Sequence, residues 1–255
     1  MELSFEELKA AAESGNARAM GVLAAHYVNQ DEWGEAVHWF ISAADNGDEK
    51  SYSPAARSCF MDAHALRSIA GGDRAFQCID TLTKGLKYAE AAGIPMEDGI
   101  YGRLHQELGI SWYLASLGED GSRSVAANSC LEQARLHLLS HLSALSLEGK
   151  VYLASTLYGL LESGSPLPQD EFRLMVKLYT ECASSDIDDA HPGLCCARLG
   201  MISLGPVLWS GWHYSPRDDE KAYEYFVKAG NRGFDCSEML SSFKKKMFGG
   251  HVYVG

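Results

Sequence analysis

The segments Glu-Ala-Val-His-Trp-Phe-Ile-Ser-Ala-Ala-Asp-Asn-Gly at 35–47 and Lys-Ala-Tyr-Glu-Tyr-Phe-Val-Lys-Ala-Gly-Asn-Arg-Gly at 221–233 are written to one template. In each, a small residue (Ala36, Ala222) precedes aromatics three and four positions on (Trp39 and Phe40; Tyr225 and Phe226). A second Ala (Ala43, Ala229) and a closing Gly (Gly47, Gly233) follow. Offsets of three and four place these side chains on one stripe of a helix, and the Gly supplies a left-handed stop. A lone short helix has nothing to bury such a stripe against, so a chain that repeats the unit must stack its copies. The template therefore predicts an all-α fold, an α-solenoid of antiparallel helix pairs.

The same punctuation marks other segment ends. Ala followed by Gly four residues later recurs at Ala11/Gly15, Ala43/Gly47, Ala89/Gly93 and Ala229/Gly233. Ser4 with Glu7 three residues on forms a capping box, and the helix it opens ends at Gly15. The chain thus starts with half a repeat over 1–15. Helical pairs are expected over 16–234. The first joins 16–29 to 32–46. The second opens at Ser53-Pro54, breaks at Gly71-Gly72 and resumes over 73–92. The third joins 97–117 to 124–147, and the fourth joins 150–162 to 169–183 across Gly164-Ser165-Pro166-Leu167-Pro168. The fifth joins 192–204 to 218–229 around an aromatic loop at 205–217. A last helix over 236–248 is expected to cap the stack, within a cap and tail at 235–255. The reading is about five repeats with terminal capping helices, forming one domain over 1–255. Their mean spacing of about 46 residues exceeds that common for helical-pair repeats, so the middle pairs carry longer helices and loops.

Charge and cysteine usage narrow the functional classes. Asp plus Glu number 34 against 22 Lys plus Arg, a net charge of -12. A nucleic acid or an anionic membrane asks for cations, so neither is an expected partner, whereas a basic protein suits this sign. The first residues have no basic region followed by an apolar core, so no secretory signal is read there. The charge-free stretch 199–216 contains Gly200, Gly205, Pro206, Gly211 and Pro216, which would break a helix in lipid. The seven Cys are an odd set without Cys-x-x-Cys, which points to reduced, buried thiols and a cytoplasmic location.

The pattern Ala17-x-Ala19-x-x-x-Leu23-Ala24-x-x-Tyr27, followed by Trp33-x-x-Ala36-x-x-Trp39-Phe40-x-x-Ala43-Ala44-x-x-Gly47, resembles a Sel-one-like repeat, a close relative of the tetratricopeptide repeat. Leu199-Gly200 with Lys221-Ala222 through Gly233 resembles a second copy, and Leu108-Gly109 with Trp112 a degenerate one. The family usually has a glycine-rich loop between paired helices, where this chain has Val28-Asn29-Gln30-Asp31. The resemblance implies an α-solenoid that binds proteins or peptides as an adaptor or regulator, without catalysis.

Candidate chemistry is sparse. His137 and His141 stand one helical turn apart and offer two imidazoles, but no third ligand of the usual helix motif lies near them in sequence. Cys182, His191, Cys195 and Cys196 form the densest thiol neighbourhood, yet vicinal Cys on a helix point about 100 degrees apart. Packing is the simpler reading of both groups. No Gly-x-Ser-x-Gly elbow and no glycine-rich phosphate loop occurs, so no catalytic residue, metal or cofactor is assigned. Lys244-Lys245-Lys246 reads as the basic end of the last helix.

Candidate partner contacts come from the first helix of each pair, which lines the concave surface of such solenoids. Arg18, Ala25 and Asn29 share one face away from the Leu23/Tyr27 stripe, and Arg103, Gln106, Ile110 and Tyr113 share another. Trp209, Trp212 and Tyr214, with His213, form either a hydrophobic plug or a contact site, since Trp and Tyr are enriched in interface hot spots. The expected function is a non-enzymatic protein-binding scaffold or adaptor. The alternative is an immunity or inhibitor protein that neutralises a basic toxin, because charge complementarity favours that partner. A metal-dependent hydrolase using the His or Cys neighbourhoods ranks last.

Overall fold

The computed structural model describes residues 4–96, 98–117, 126–187, 191–205, 213–245 and 250–254. Among them are twelve α-helices: α1 (Phe5–Glu13), α2 (Ala17–Val28), α3 (Trp33–Asp45), α4 (Tyr52–Ala70), α5 (Ala75–Ala91), α6 (Gly99–Ala115), α7 (Ala127–Ser140), α8 (Leu147–Glu162), α9 (Gln169–Ala183), α10 (Pro192–Ser203), α11 (Asp219–Asn231) and α12 (Ser237–Ser241). Successive helices pack against each other from α1 to α7 and again from α8 to α12, so the all-helical, paired arrangement is present. The contacts group the chain into two compact units, 1–145 and 146–255. The boundary falls where the chain leaves a short 3-10 turn at Leu142–Ala144, extends at Leu145 and is capped again by Ser146.

Helix ends follow from the punctuation. Gly15, Gly47, Gly93 and Gly233 all adopt positive φ, from 63° to 95°. In each case the Ala four residues earlier offers its carbonyl to the N–H of the residue after the Gly. Asn16 donates to Ala11 (3.2 Å), Asp48 to Ala43 (2.9 Å), Ile94 to Ala89 (3.1 Å) and Phe234 to Ala229 (3.0 Å). This six-residue closure satisfies a carbonyl that the helix end would leave unpaired. The Ala is small because it lies against a neighbouring helix: Ala43, Ala89 and Ala229 are fully buried. A fifth closure, Ser165 N–H to Leu160 O with Gly164 at φ 82°, has the same form with Leu in place of Ala. At the N-termini, Ser4 and Glu7 form the expected capping box, and Asn16, Asp98, Ser146 and Asp218 accept from first-turn amides. Between α2 and α3, Asp31 itself takes the left-handed conformation at φ 59°.

The Leu-Gly dipeptides mark close helix approach. A Cβ on Gly109 of α6 would lie 2.5 Å from Leu138 Cγ of α7, and one on Gly200 of α10 would lie 2.9 Å from the Phe226 ring of α11. Hydrogen at these positions lets the facing large side chain bury completely, at 0% and 1% exposure for Leu138 and Phe226.

The C-terminal segment corrects the expectation of a helix over 236–248. Helix α12 stops at Ser241, and β1 (Phe243–Lys245) pairs antiparallel with β2 (His251–Tyr253), Phe243 opposite Tyr253. Aromatic packing outweighs local helix propensity here. The Phe243 ring lies 5.4 Å from Tyr253, 5.5 Å from Tyr223 and 6.1 Å from Phe226, while His251 stacks on Tyr223 at 3.5 Å. Lys244 and Lys245 are therefore exposed strand residues, not a helix end, and Lys246 lies outside the described residues. No described helix is long and apolar enough to cross a membrane.

Candidate functional site

Within the 1–145 unit, helices α2, α3, α4 and α6 enclose a pocket of about 540 Å³. That is within the range of ligand and peptide anchor sites. The end of α2 supplies Ala25, Val28 and Asn29, and α3 supplies Trp33 and Phe40. Helix α4 contributes Pro54, Arg57, Ser58, Phe60 and Met61, while α6 adds Ile100 and Arg103. Apolar surface dominates, and the polar groups are mostly donors. Arg57, whose side chain is 59% exposed, faces Asp98 only at 3.9 Å. The Arg103 guanidinium sits 5.9 Å from the centre of the Phe60 ring and has no carboxylate partner among the described residues. Ser58, 3% exposed, adds a hydroxyl to the lining.

A buried ion pair fixes the wall between α4 and α6. Arg67 grips Glu107 with both sides of its guanidinium, Nε to Oε2 at 2.8 Å and Nη2 to Oε1 at 3.1 Å. His64 Nδ1 approaches the same Oε1 at 3.1 Å, and its ring stacks on Phe60 at 5.7 Å. Arg67 and Glu107 are 10% and 3% exposed, so the pair replaces the water that each charge lost. The chain of contacts runs from Arg67 through Glu107, His64 and Phe60 to Arg103, and it orients the pocket's arginine. Sequence reasoning missed these residues. The available signal was Phe60, His64 and Arg67 recurring at helical spacing on α4, with Glu107 one turn beyond Arg103 on α6.

The predicted contact residues separate. Asn29 and Arg103, together with Ala25, meet at the pocket. Arg18 is exposed on α2 away from it, and Gln106 and Tyr113 are half-buried outside it. Ile110 corrects the spacing argument: it is fully buried, because α6 packs on α4, α5 and α7 and keeps only a narrow exposed strip around Arg103. Trp209 and Trp212 lie outside the described residues. Tyr214 is half-buried in the 146–255 unit, where its hydroxyl accepts from Leu167 N–H (2.8 Å) and donates to Leu167 O (3.0 Å). Its ring stacks on Phe172 at 4.5 Å, so this aromatic clasps the loop between α8 and α9.

The histidines gather differently from the sequence grouping. His105 of α6 joins His137 and His141: its Nδ1 is 3.0 Å from Nδ1 of His137, and its ring stacks on His141 at 4.2 Å. Burial and the two neighbouring imidazoles lower the His105 pKa to about 4, and burial lowers His137 and His141 as well. Neutral rings allow one Nδ1 to donate to the other. Among the described residues no three His, Cys, Asp or Glu side chains are arranged to hold a metal ion. Cys182 and Cys195 do meet. Their mutual hydrogen bond, with burial, holds the Cys195 thiol far above its usual range, and Cys182 also donates to Leu147 O at 3.9 Å. Cys196 is buried beside Cys195 on α10, and His191 is exposed at the start of that helix. All seven thiols are free and buried. No protein-family model matches this sequence, and no curated protein does either.

Proposed function

We propose that the chain is a non-enzymatic binding module of α-solenoid type, a Sel-one-like scaffold or adaptor that holds a protein partner at the α2/α3/α4/α6 pocket. The supporting observation is the pocket itself: a largely apolar cavity of about 540 Å³ with Arg57, Arg103, Asn29 and Ser58 in its lining. Aromatic residues and arginines of this kind anchor interfaces, because they bury area and supply directed donors together. Guanidinium, amide and hydroxyl groups bind and orient a partner; the reading assigns them no bond-making step. The net charge of -12 favours a basic partner over the surface as a whole. At the pocket the charged lining residues are Arg57 and Arg103, which supports the adaptor reading over inhibition of a basic toxin.

The test is a photo-crosslinker, benzoylphenylalanine, placed at Met61 in the pocket and, as a control, at Val176 in the other unit, in cells that naturally make the chain. Discrete adducts from Met61 and none from Val176 are expected. Adducts from Val176 alone, or from neither, would contradict the proposal.

A further inference from the structure

Resting on that reading, we infer that the pocket's occupant is a peptide segment in which a large apolar side chain stands beside a carboxylate, the apolar group entering between Phe40, Phe60 and Met61 and the carboxylate meeting Arg57 and Arg103. Three observations carry this. First, the two arginines line one apolar pocket and neither is neutralised at close range: Arg57 has Asp98 at 3.9 Å, and Arg103 has only the face of Phe60. A guanidinium over an aromatic ring keeps its outer N–H fork free for a planar bidentate acceptor, which a carboxylate matches. Second, Ser58, at 3% exposure, and exposed Asn29 add a hydroxyl and an amide to the pocket lining. A hydroxyl and an amide each donate and accept, and the main-chain groups of a peptide supply both an acceptor and a donor for them. Third, the pocket is open to solvent along the exposed Arg57 and Arg103, which suits an anchor whose chain continues outside.

This assignment reverses the sign that the whole-chain charge favours. Asp and Glu are in excess overall, but the nearest formal charges of the pocket lining are cationic. A general electrostatic attraction and a local recognition group act at different ranges. Screening weakens the first beyond about a Debye length of 8 Å, while contact hydrogen bonds persist.

The experiment uses the full chain as bait for a displayed library of random twelve-residue peptides. Selected peptides are then measured by fluorescence anisotropy against the wild type, Arg57→Glu, Arg103→Glu and Met61→Arg. Both arginines are exposed, and circular dichroism of each variant checks that it remains helical. The expected result is enrichment of Asp or Glu, or a free C-terminus, next to Leu, Ile, Phe or Met. Affinity should fall about tenfold for each arginine reversal, and Met61→Arg should weaken binding as well. Apolar peptides without a carboxylate that bind the arginine variants unchanged would overturn this inference while leaving the pocket as the binding site. Peptides that bind Met61→Arg undiminished, or a library that enriches nothing, would overturn both. If octanoate binds while no peptide is enriched, the occupant is a small amphiphile and the peptide assignment is likewise overturned.

Discussion

The two copies of the template, α2–α3 and α10–α11, are alike as helix pairs and differ in what surrounds them. In both, an Ala-to-Gly closure ends the second helix and a large aromatic is buried against its partner, Phe40 at 7% and Phe226 at 1% exposure. After the first copy the chain adds α4 to α6, whose Phe60, Met61 and Arg103 build the far wall of a 540 Å³ pocket. After the second it adds a short helix and a hairpin, and Phe243 packs on the Phe226 ring instead. The cleft beside the second copy, between α9, α10 and α11, is about 250 Å³. Nearby, Tyr214 stacks on Phe172 and ties down Leu167. The repeat thus specifies a pair and its ending, while the elements next to the pair decide how large a pocket lies beside it.

The largest expected effect comes from removing the ion pair that holds the first copy's added wall. Glu107→Ala leaves Arg67 buried and uncompensated and should cost about 3–5 kcal/mol. Guanidinium denaturation read by circular dichroism measures it, and probes in the 146–255 unit should keep their wild-type transition. A shift in that unit instead would show that the two are not independently stabilised. Next, Gly200→Ala forces a methyl against the Phe226 ring and should cost about 1–3 kcal/mol, here confined to the second copy.

A pH effect follows for the 1–145 unit alone. His105, His137 and His141 have lowered folded pKa values, so the unfolded chain binds protons first. Their contribution is complete above about 6.5 and is lost as pH falls from there toward 4, the folded value of His105. The effect is moderate because these rings are only half-buried, and solvent screens them. Melting temperatures of wild type and His105→Gln across this window should converge on acidification. A parallel course for the two proteins would contradict the assignment.

Smallest is Tyr214→Phe, which removes both hydrogen bonds to Leu167 but keeps the stack on Phe172, for about 1 kcal/mol. It should leave peptide binding unchanged. A gain of binding at the second cleft would erase the contrast between the copies.

Helix ends were legible because their cause is local: a left-handed Gly and a carbonyl five residues before its donor lie within one turn of sequence. Asn29 and Arg103 were legible as facing positions for the same reason. Ile110 was not, since its burial depends on how many helices surround α6. The His64, Arg67 and Glu107 network joins residues 40 and 43 positions apart, which no spacing rule reaches. His105 likewise needs the α6 to α7 packing to join its partners, 32 positions away for His137. The hairpin was misread because Phe243 and Tyr253 gain their stability from Tyr223 and Phe226, not from neighbours in sequence.

The claim that only the first copy carries a binding site is tested most directly by methyl resonances of ¹³C-labelled methionine in the full chain, titrated with the tightest library-selected peptide. Met61 lines the first pocket, while Met201 and Met239 report on the second copy and its cap. The account predicts a saturating shift of Met61 with Met201 and Met239 unmoved. A saturating shift at Met201 or Met239, with Met61 static, would contradict it.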